Sequence, residues 1–564
     1  MKPEELGAYY ESILEKEVRK EGGIYYTPQY IVDYIVQNTV GKLLEGKTPK
    51  EASNIKIVDP ACGAGIFLLG AYQYLLDWHK KHFGKLTLAK RRKILTECIF
   101  GVDIDPLAVE MTKYCLSMKC TNGKDFALDL DNNIKCGNSL IDLDYYDNQL
   151  DFGEERKVKP FSWKKAFPDA FKQGGFDCVI GNPPWGANLI ADKGYFKSRY
   201  ENATPDSAAY FLERAVKLSQ SMIGMIVPKT IAFYSSWQSI RKVLLEHCRL
   251  GSILDVGIAF SQVNLESVVL ILDKKDAAKN ATRLRPKVFR AEPLKRPHVP
   301  KEIVALGTFD TKIVSITQSL PMIGLNTKES NLIWKLHGKS IQLGDVADNI
   351  FRGLYISDAE KKTLRRGKTK WINKVPDVKR WLLTKIHSIA LPGAYKAKAQ
   401  DILVPRVFLK VLRGSRLIAF PDVKGEYLTT EKLVSVTICR EKYPVSYLFL
   451  SAVLNSPIVS WYLQKVLFSD TTETARVMDR VYSQYMILPR MDLAKREDKQ
   501  SHDLIVKHVD QLLQLNRDLQ VATLPNQKEL IKSRIAYSED KINGIVYELY
   551  GLTESEIQTI ETNL

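Results

Sequence analysis

Between residue 55 and about residue 275, short runs of β-branched and aliphatic residues alternate with longer stretches in which apolar positions recur at helical spacing. Ile55–Val58, Ile99–Val102, Cys178–Ile180, Met222–Val227, Ile253–Val256 and Val268–Leu272 read as strands, and most intervals between them have room for a crossover helix. The pattern predicts a doubly wound α/β domain. Ahead of it, Glu4–Lys20 and Pro28–Leu44 read as helices, the second with Ile31, Ile35, Val36 and Val40 on one face. The Gly22-Gly23 step and the following Ile24-Tyr25-Tyr26-Thr27-Pro28 break them apart. After Lys274 the regularity fades. Pro293–Lys301, basic and proline-containing, predicts a linker; a mixed α+β pattern runs to about residue 490, and Ser501–Leu515 and Gln527–Tyr550 read as amphipathic helices.

Composition narrows this picture. A chain of 564 residues can bury the cores of two or three domains. Its eight cysteines form no CxxC pair and no Cys/His cluster with zinc spacing, which argues against a metal site and a disulfide framework and fits a reducing cytosol. Met1–Lys20 is charged and amphipathic, and no apolar run approaches membrane-spanning length, so a soluble cytoplasmic protein is expected, with no membrane partner. The formal charge is +17, unevenly spread: Lys361–Arg416 holds 16 basic against two acidic residues. Such a stretch suggests a surface for a polyanion, although an ordinary solvated lysine-rich face would have the same composition.

Three segments could carry chemistry. In Ile57-Val58-Asp59-Pro60-Ala61-Cys62-Gly63-Ala64-Gly65, a strand ends in an acidic residue and a small-residue loop opens a helix. Its glycines admit close approach of a ligand, and free N–H groups at the helix start can face a carboxylate. In Phe100-Gly101-Val102-Asp103-Ile104-Asp105-Pro106 the next strand delivers Asp103 where a ribose diol could donate to it. Its separation from Asp59 exceeds the ~20 residues of a dinucleotide fold, which disfavours a nicotinamide enzyme and suits a nucleoside ligand. In Phe176-Asp177-Cys178-Val179-Ile180-Gly181-Asn182-Pro183-Pro184-Trp185, a strand presents Asn182 on a loop stiffened by two prolines. That loop offers an amide oxygen, the Pro183 carbonyl and an aromatic plane. Two acceptors taking hydrogen bonds from an aromatic NH2 favour a pyramidal nitrogen and free its lone pair for in-line attack on a sulfonium methyl.

These segments, in this order, resemble the gamma class of amino-methyltransferases, especially the adenine-N6 enzymes and the methylase part of Type IIG restriction-modification proteins, over nearly the whole chain. The resemblance implies a Rossmann-like S-adenosylmethionine-dependent methyltransferase domain plus an α+β C-terminal DNA-recognition domain. It implies N-terminal helices and the start of the cofactor site at 1–45, the catalytic domain at 46–290, a linker region at 291–334, target recognition at 335–490 and helical support at 491–564. By the same resemblance Tyr26, Thr27, Pro28, Asp59, Ala61 and Gly63 would hold the methionine portion of the cofactor, Asp103 the ribose, and Ile104 the adenine ring. Asn138, in Cys136-Gly137-Asn138-Ser139-Leu140, would lie near the cofactor adenine or the target base, with Asn in place of the more frequent Asp. Asn182, Pro183, Pro184 and Trp185 would be catalytic, and Trp185 and Trp237 would hold the flipped base between them. Trp185 stands where Tyr is commoner. In the C-terminal part, Arg352, Lys361, Lys362, Arg365, Arg366, Lys410, Arg413 and Arg416 are candidates for phosphate or guanine contacts.

The function expected is therefore site-specific methylation of adenine N6 in double-stranded DNA, with the duplex in a cleft beside the basic half and a separate restriction endonuclease as a conceivable partner. Glu497-Asp498-Lys499 and Glu539-Asp540-Lys541 fit an E-x-K nuclease element by spacing, but neither follows a predicted strand and only two helices precede the first motif, so no cleavage by this chain is expected. A methyltransferase for RNA or for a protein glutamine would use a similar Asn-Pro-Pro loop without a large basic domain. A non-catalytic DNA-binding specificity protein is the alternative outside enzymes, and the intact Asn182, Pro183, Pro184 and Asp103 speak against it.

Overall fold

The computed structural model describes residues 27–123, 128–146, 158–187, 193–260, 265–274, 286–292, 302–318, 327–411, 416–468 and 483–562, with a few single positions besides. Tyr26, Arg413, most of the helix expected at Glu4–Lys20 and most of Pro293–Lys301 lie outside them. The chain forms two compact units, Met1–Gly324 and Leu325–Leu564.

The first unit is built on a sheet of nine described strands: β1 (Ile57–Asp59), β2 (Ile99–Asp103), β3 (Ile134–Cys136), β4 (Phe176–Gly181), β5 (Ser219–Pro228), β6 (Arg249–Gly257), β7 (Ser267–Asp273), β8 (Lys287–Glu292) and β9 (Glu302–Thr308). Their spatial order is β3-β2-β1-β4-β5-β7-β6-β8-β9. β1 to β5 pair parallel, and β7 runs antiparallel between β5 and β6. Ile57 sits between Ile99 and Cys178 in the register, and all three are fully buried, as central parallel strands require. The chain runs outward from β1 through β2 to β3 and returns to β4 on the other side of β1. Ligands of open α/β sheets bind at such a reversal, outside the carboxyl ends of the strands.

Every strand expected from the pattern is present, each within a few residues of its expected ends. β3 was not expected: it has three residues, one of them buried, too few to show a period. β9 extends the sheet through part of the stretch read as a linker; its largely half-exposed residues give an edge strand little hydrophobic pattern. The helix expected at Pro28–Leu44 is interrupted, running Gln29–Val36, then a π turn Gln37–Gly41, then Lys42–Leu44. At that turn the Thr39 hydroxyl donates to the Ile35 carbonyl (2.7 Å), the local competition that disturbs a helical ladder.

The second unit is mixed α and β. Ala347–Arg352, Val434–Ile438, Arg406–Val411 and Leu417–Asp422 form an antiparallel four-stranded sheet in that spatial order, and Arg366–Ile372 pairs with His387–Ile389 and Tyr427–Thr429. Two long helices, Arg496–Val521 and Pro525–Leu549, meet through Leu515, Leu519, Ile531 and Ile535. Both E-x-K matches lie on these helices. Glu539 accepts from the Trp381 indole at 2.9 Å and pairs with Arg380 at 3.2 Å, a structural engagement. No helix among the described residues is long and apolar enough to cross a membrane.

Candidate active site

β1, β2 and β4 deliver Asp59, Asp103 and Asn182 to one edge of the sheet. Asp59 is buried, and its Oδ1 accepts the Ala61 N–H at 2.9 Å. A Cβ at Gly181 would stand 2.6 Å from the same oxygen, so β4 reaches this position beside Asp59 only because residue 181 has no side chain. Burial pushes the Asp59 carboxyl up to about 8, against the pull of the Ala61 hydrogen bond. Asp103 accepts the Gly63 N–H (2.8 Å) on one oxygen and the Asp105 N–H (2.9 Å) on the other, and burial raises its carboxyl too. The Thr112 hydroxyl donates to the Gly63 carbonyl (2.7 Å), and the Ser139 hydroxyl to that of Pro60. The Pro60–Gly65 loop is thus held by β2, by the helix Pro106–Thr121 and by the turn after β3.

Ile104, next along, is 38% exposed and offers an apolar face at the rim, while its carbonyl accepts from Lys159 Nζ at 2.8 Å. Asn138 is held by an Asx-type turn: its Oδ1 accepts from Leu140 N–H (3.0 Å) and its own N–H donates to Lys159 (2.7 Å). That oxygen is engaged within the loop, which leaves less of Asn138 for a ligand than its sequence position suggested.

On the β4 loop, Asn182 Nδ2 donates to Thr27 Oγ1 at 3.1 Å. Asn182 Oδ1 is buried and has no hydrogen-bond partner among the described residues. Nothing among them donates to the Pro183 carbonyl either. The loop is held from behind. The Ser207 hydroxyl donates to the Pro184 carbonyl (2.6 Å) and accepts from Ala187 N–H (3.1 Å), and Asp206 accepts from Gly186 N–H (3.2 Å) while capping the helix Ser207–Leu218 at Ala208. Trp185 is buried, with Phe260 edge-on at 5.0 Å and 86°. Trp237, in the short turn that precedes the helix Gln238–His247, is 4% exposed.

Sequence reasoning missed a buried ion cluster behind these loops. Lys229, at the end of β5, pairs with Asp255 of β6 at 2.8 Å and lies 3.9 Å from Glu266, just before β7; Arg290 approaches Asp255 at 3.7 Å. Lys229, Asp255 and Glu266 are all at most 5% exposed. Asp255 stands five residues before Phe260, the residue that meets Trp185. The signal available in the sequence was a lone Asp inside the apolar run Ile253-Leu254-Asp255-Val256.

In the second unit Arg352, Lys362, Arg365, Arg366 and Arg416 are exposed, and Lys361 is half-buried against Asp358 at 2.8 Å. Lys410 corrects an expectation. It is buried, donates to the Val375 carbonyl at 3.0 Å, and burial lowers its pKa, so it is part of the interior and out of reach of a phosphate.

Residues 97–260 match the family described as Eco57I restriction-modification methylase. The chain resembles the methylase part of restriction-modification enzymes. Among curated relatives, it is 30% identical over 300 residues to the Type II restriction enzyme and methyltransferase RM.Eco57I of Escherichia coli, covering 47% of this chain and 29% of that protein. It is 24% identical over 281 residues to the Type II methyltransferase M.VspI of Vibrio sp. (strain 343), covering 48% and 53%. It is also 24% identical over 196 residues to the adenine-specific methyltransferase PglX of Streptomyces coelicolor, covering 32% and 16%. The matches thus span from under a fifth to about half of these relatives' lengths. Of solved structures, the Type IIL restriction-modification enzyme MmeI in complex with DNA aligns over 100% of this chain and 82% of its own, with a TM-score of 0.58 at 14% identity. The DrdV–DNA complex aligns over 92% and 60%, with a TM-score of 0.52 at 13% identity. At these identities the likeness is one of fold.

Proposed function

We propose that this chain is a DNA methyltransferase that transfers a methyl group from S-adenosylmethionine to N6 of an adenine turned out of a duplex. The observation that carries the reading is Asn182. Its amide oxygen is buried and unpartnered, on a proline-stiffened loop at the sheet edge that also holds Asp59 and Asp103. A buried acceptor without a donor costs free energy that an incoming N–H would recover. The matched methylase family and the adenine-specific name of one relative support the same substrate.

The residues fit the cofactor. Asp59, Asp103 and the Pro60–Gly65 loop form a carboxyl- and backbone-lined cradle for an amino acid and a ribose, and the exposed side of Ile104 suits a purine face. Pro28, Ala61 and Gly63 complete that set, with Asn138 beyond them. When bound, the cofactor supplies an electrophilic methyl on a sulfonium. Asn182 Oδ1 and the Pro183 carbonyl accept the two N–H bonds of the adenine amino group, which keeps its nitrogen pyramidal and aims its lone pair. The Trp185 ring, set by Phe260, packs on the base, and Trp237 is a second wall. The exposed Arg352, Lys362, Arg365, Arg366 and Arg416, with Lys361, engage duplex phosphates or guanine edges.

Radiolabelled methyl transfer from S-adenosylmethionine to duplex DNA tests the reading. Asn182→Ala is expected to lower turnover by at least ~100-fold while cofactor and DNA affinities stay nearly unchanged. Turnover comparable to the unaltered protein would sink the mechanism.

A further inference from the structure

We infer that Thr27 is a positioning residue for the transfer step: its hydroxyl fixes the Asn182 carboxamide so that Oδ1 faces the reacting amine. The inference rests on the function proposed above and reassigns Thr27, which the family resemblance gives to the cofactor.

The terminal torsion of an asparagine is soft, and its two ends are nearly the same size. Only one end can serve here. An amide turned over would present N–H donors to an NH2 group and could accept nothing. Asn182 makes one hydrogen bond among the described residues, from Nδ2 to Thr27 Oγ1 at 3.1 Å, and it leaves the oxygen unpartnered. A hydroxyl can pair with either end of an amide. With the oxygen turned onto Thr27, however, no acceptor would be left for an incoming N–H, whereas the observed pose spends one N–H on Thr27 and leaves Oδ1 open to accept.

Thr27 is itself well anchored. It is 2% exposed and immediately precedes Pro28, which opens the helix Gln29–Val36. Ile31, Val32, Ile35 and Val36 of that helix are buried, and a Cβ at Gly224 of β5 would stand 2.8 Å from Ile35 Cγ2. The helix is therefore seated directly on the strand beside β4, and the hydroxyl inherits that rigidity. The contact links residues 155 positions apart.

Thr27→Val, Thr27→Ala and Thr27→Ser are to be compared with the unaltered protein by two readouts. The first is steady-state methyl transfer at saturating S-adenosylmethionine and DNA, with cofactor affinity measured separately. The second is the side-chain NH2 resonance of Asn182 in protein labelled with 15N-asparagine, assigned by its absence in Asn182→Ala. Thr27→Val and Thr27→Ala are expected to lose about 10- to 100-fold in kcat with cofactor Kd changed by less than about threefold, and to shift the NH2 resonance. Thr27→Ser is expected to restore both. An unchanged resonance in Thr27→Val overturns the contact whatever the activity. A normal kcat at saturation with weakened cofactor binding overturns the positioning role and returns Thr27 to the cofactor. If the unaltered protein transfers no methyl group while the resonance shifts, the proposed function fails and the positioning role fails with it, although the contact stands.

Discussion

Asp59 and Lys229 are ionisable side chains in nearly dry surroundings, and each makes a separate demand on the fold. Burial raises the Asp59 carboxyl from its ordinary 3.8 to about 8, so between those values the folded protein keeps a proton that the unfolded chain has released. The folded state binds more protons in that window, and its stability falls as pH rises from about 4 toward 8. Melting temperatures of the unaltered protein and Asp59→Asn, compared from pH 5 to pH 8, are expected to diverge, the wild type losing ground; parallel curves would show that Asp59 ionises normally. Lys229 is compensated by Asp255 and Glu266. Lys229→Met leaves their charge buried with Arg290 nearby and is expected to cost about 3–5 kcal/mol, read from chemical denaturation. A loss below about 1 kcal/mol would mean that water reaches the cluster. The two residues also differ in how visible they are beforehand. Asp59 ends an apolar strand and opens a glycine loop, a local pattern that names it. Lys229 finds Asp255 only because β7 inserts antiparallel between β5 and β6, a long-range pairing that no local window contains.

At the scale of elements, the strands bearing the site were legible because they are buried on both faces and read as unbroken apolar runs. Strands at the margins were not: β3 is too short and β9 too exposed to carry a period. The helix Ser207–Leu218 shows the same limit from another side. Its Asp206 cap could be read from sequence, yet the second duty of Asp206 and Ser207, gripping Gly186, Ala187 and Pro184, depends on where β4 ends in space. The Asn182 loop is thereby fixed at both ends, by this helix start on one side and by Thr27 on the other.

Across the whole molecule, the basic excess of Lys361–Arg416 overstated the charged surface. Arg406 is fully buried against backbone carbonyls and Asp422, Lys410 is bonded to Val375, and Arg380 pairs with Glu539. Composition counts charges without regard to depth. Arg365 and Arg366 are adjacent and both exposed. Replacing both with alanine is expected to weaken DNA binding and to reduce the slope of log affinity against log salt by up to about 2, with cofactor affinity unchanged. An unaltered slope would remove them from the interface.

The most direct measurement is the identity of the modified base. The protein, expressed in bacteria that lack DNA methylation of their own, would leave its product in the genome, to be read by nucleoside mass spectrometry and single-molecule sequencing. The account predicts N6-methyladenine confined to one short sequence motif, and none when Asn182 is alanine. Genomic DNA without N6-methyladenine, from cells in which the protein is folded and binds S-adenosylmethionine, would contradict it.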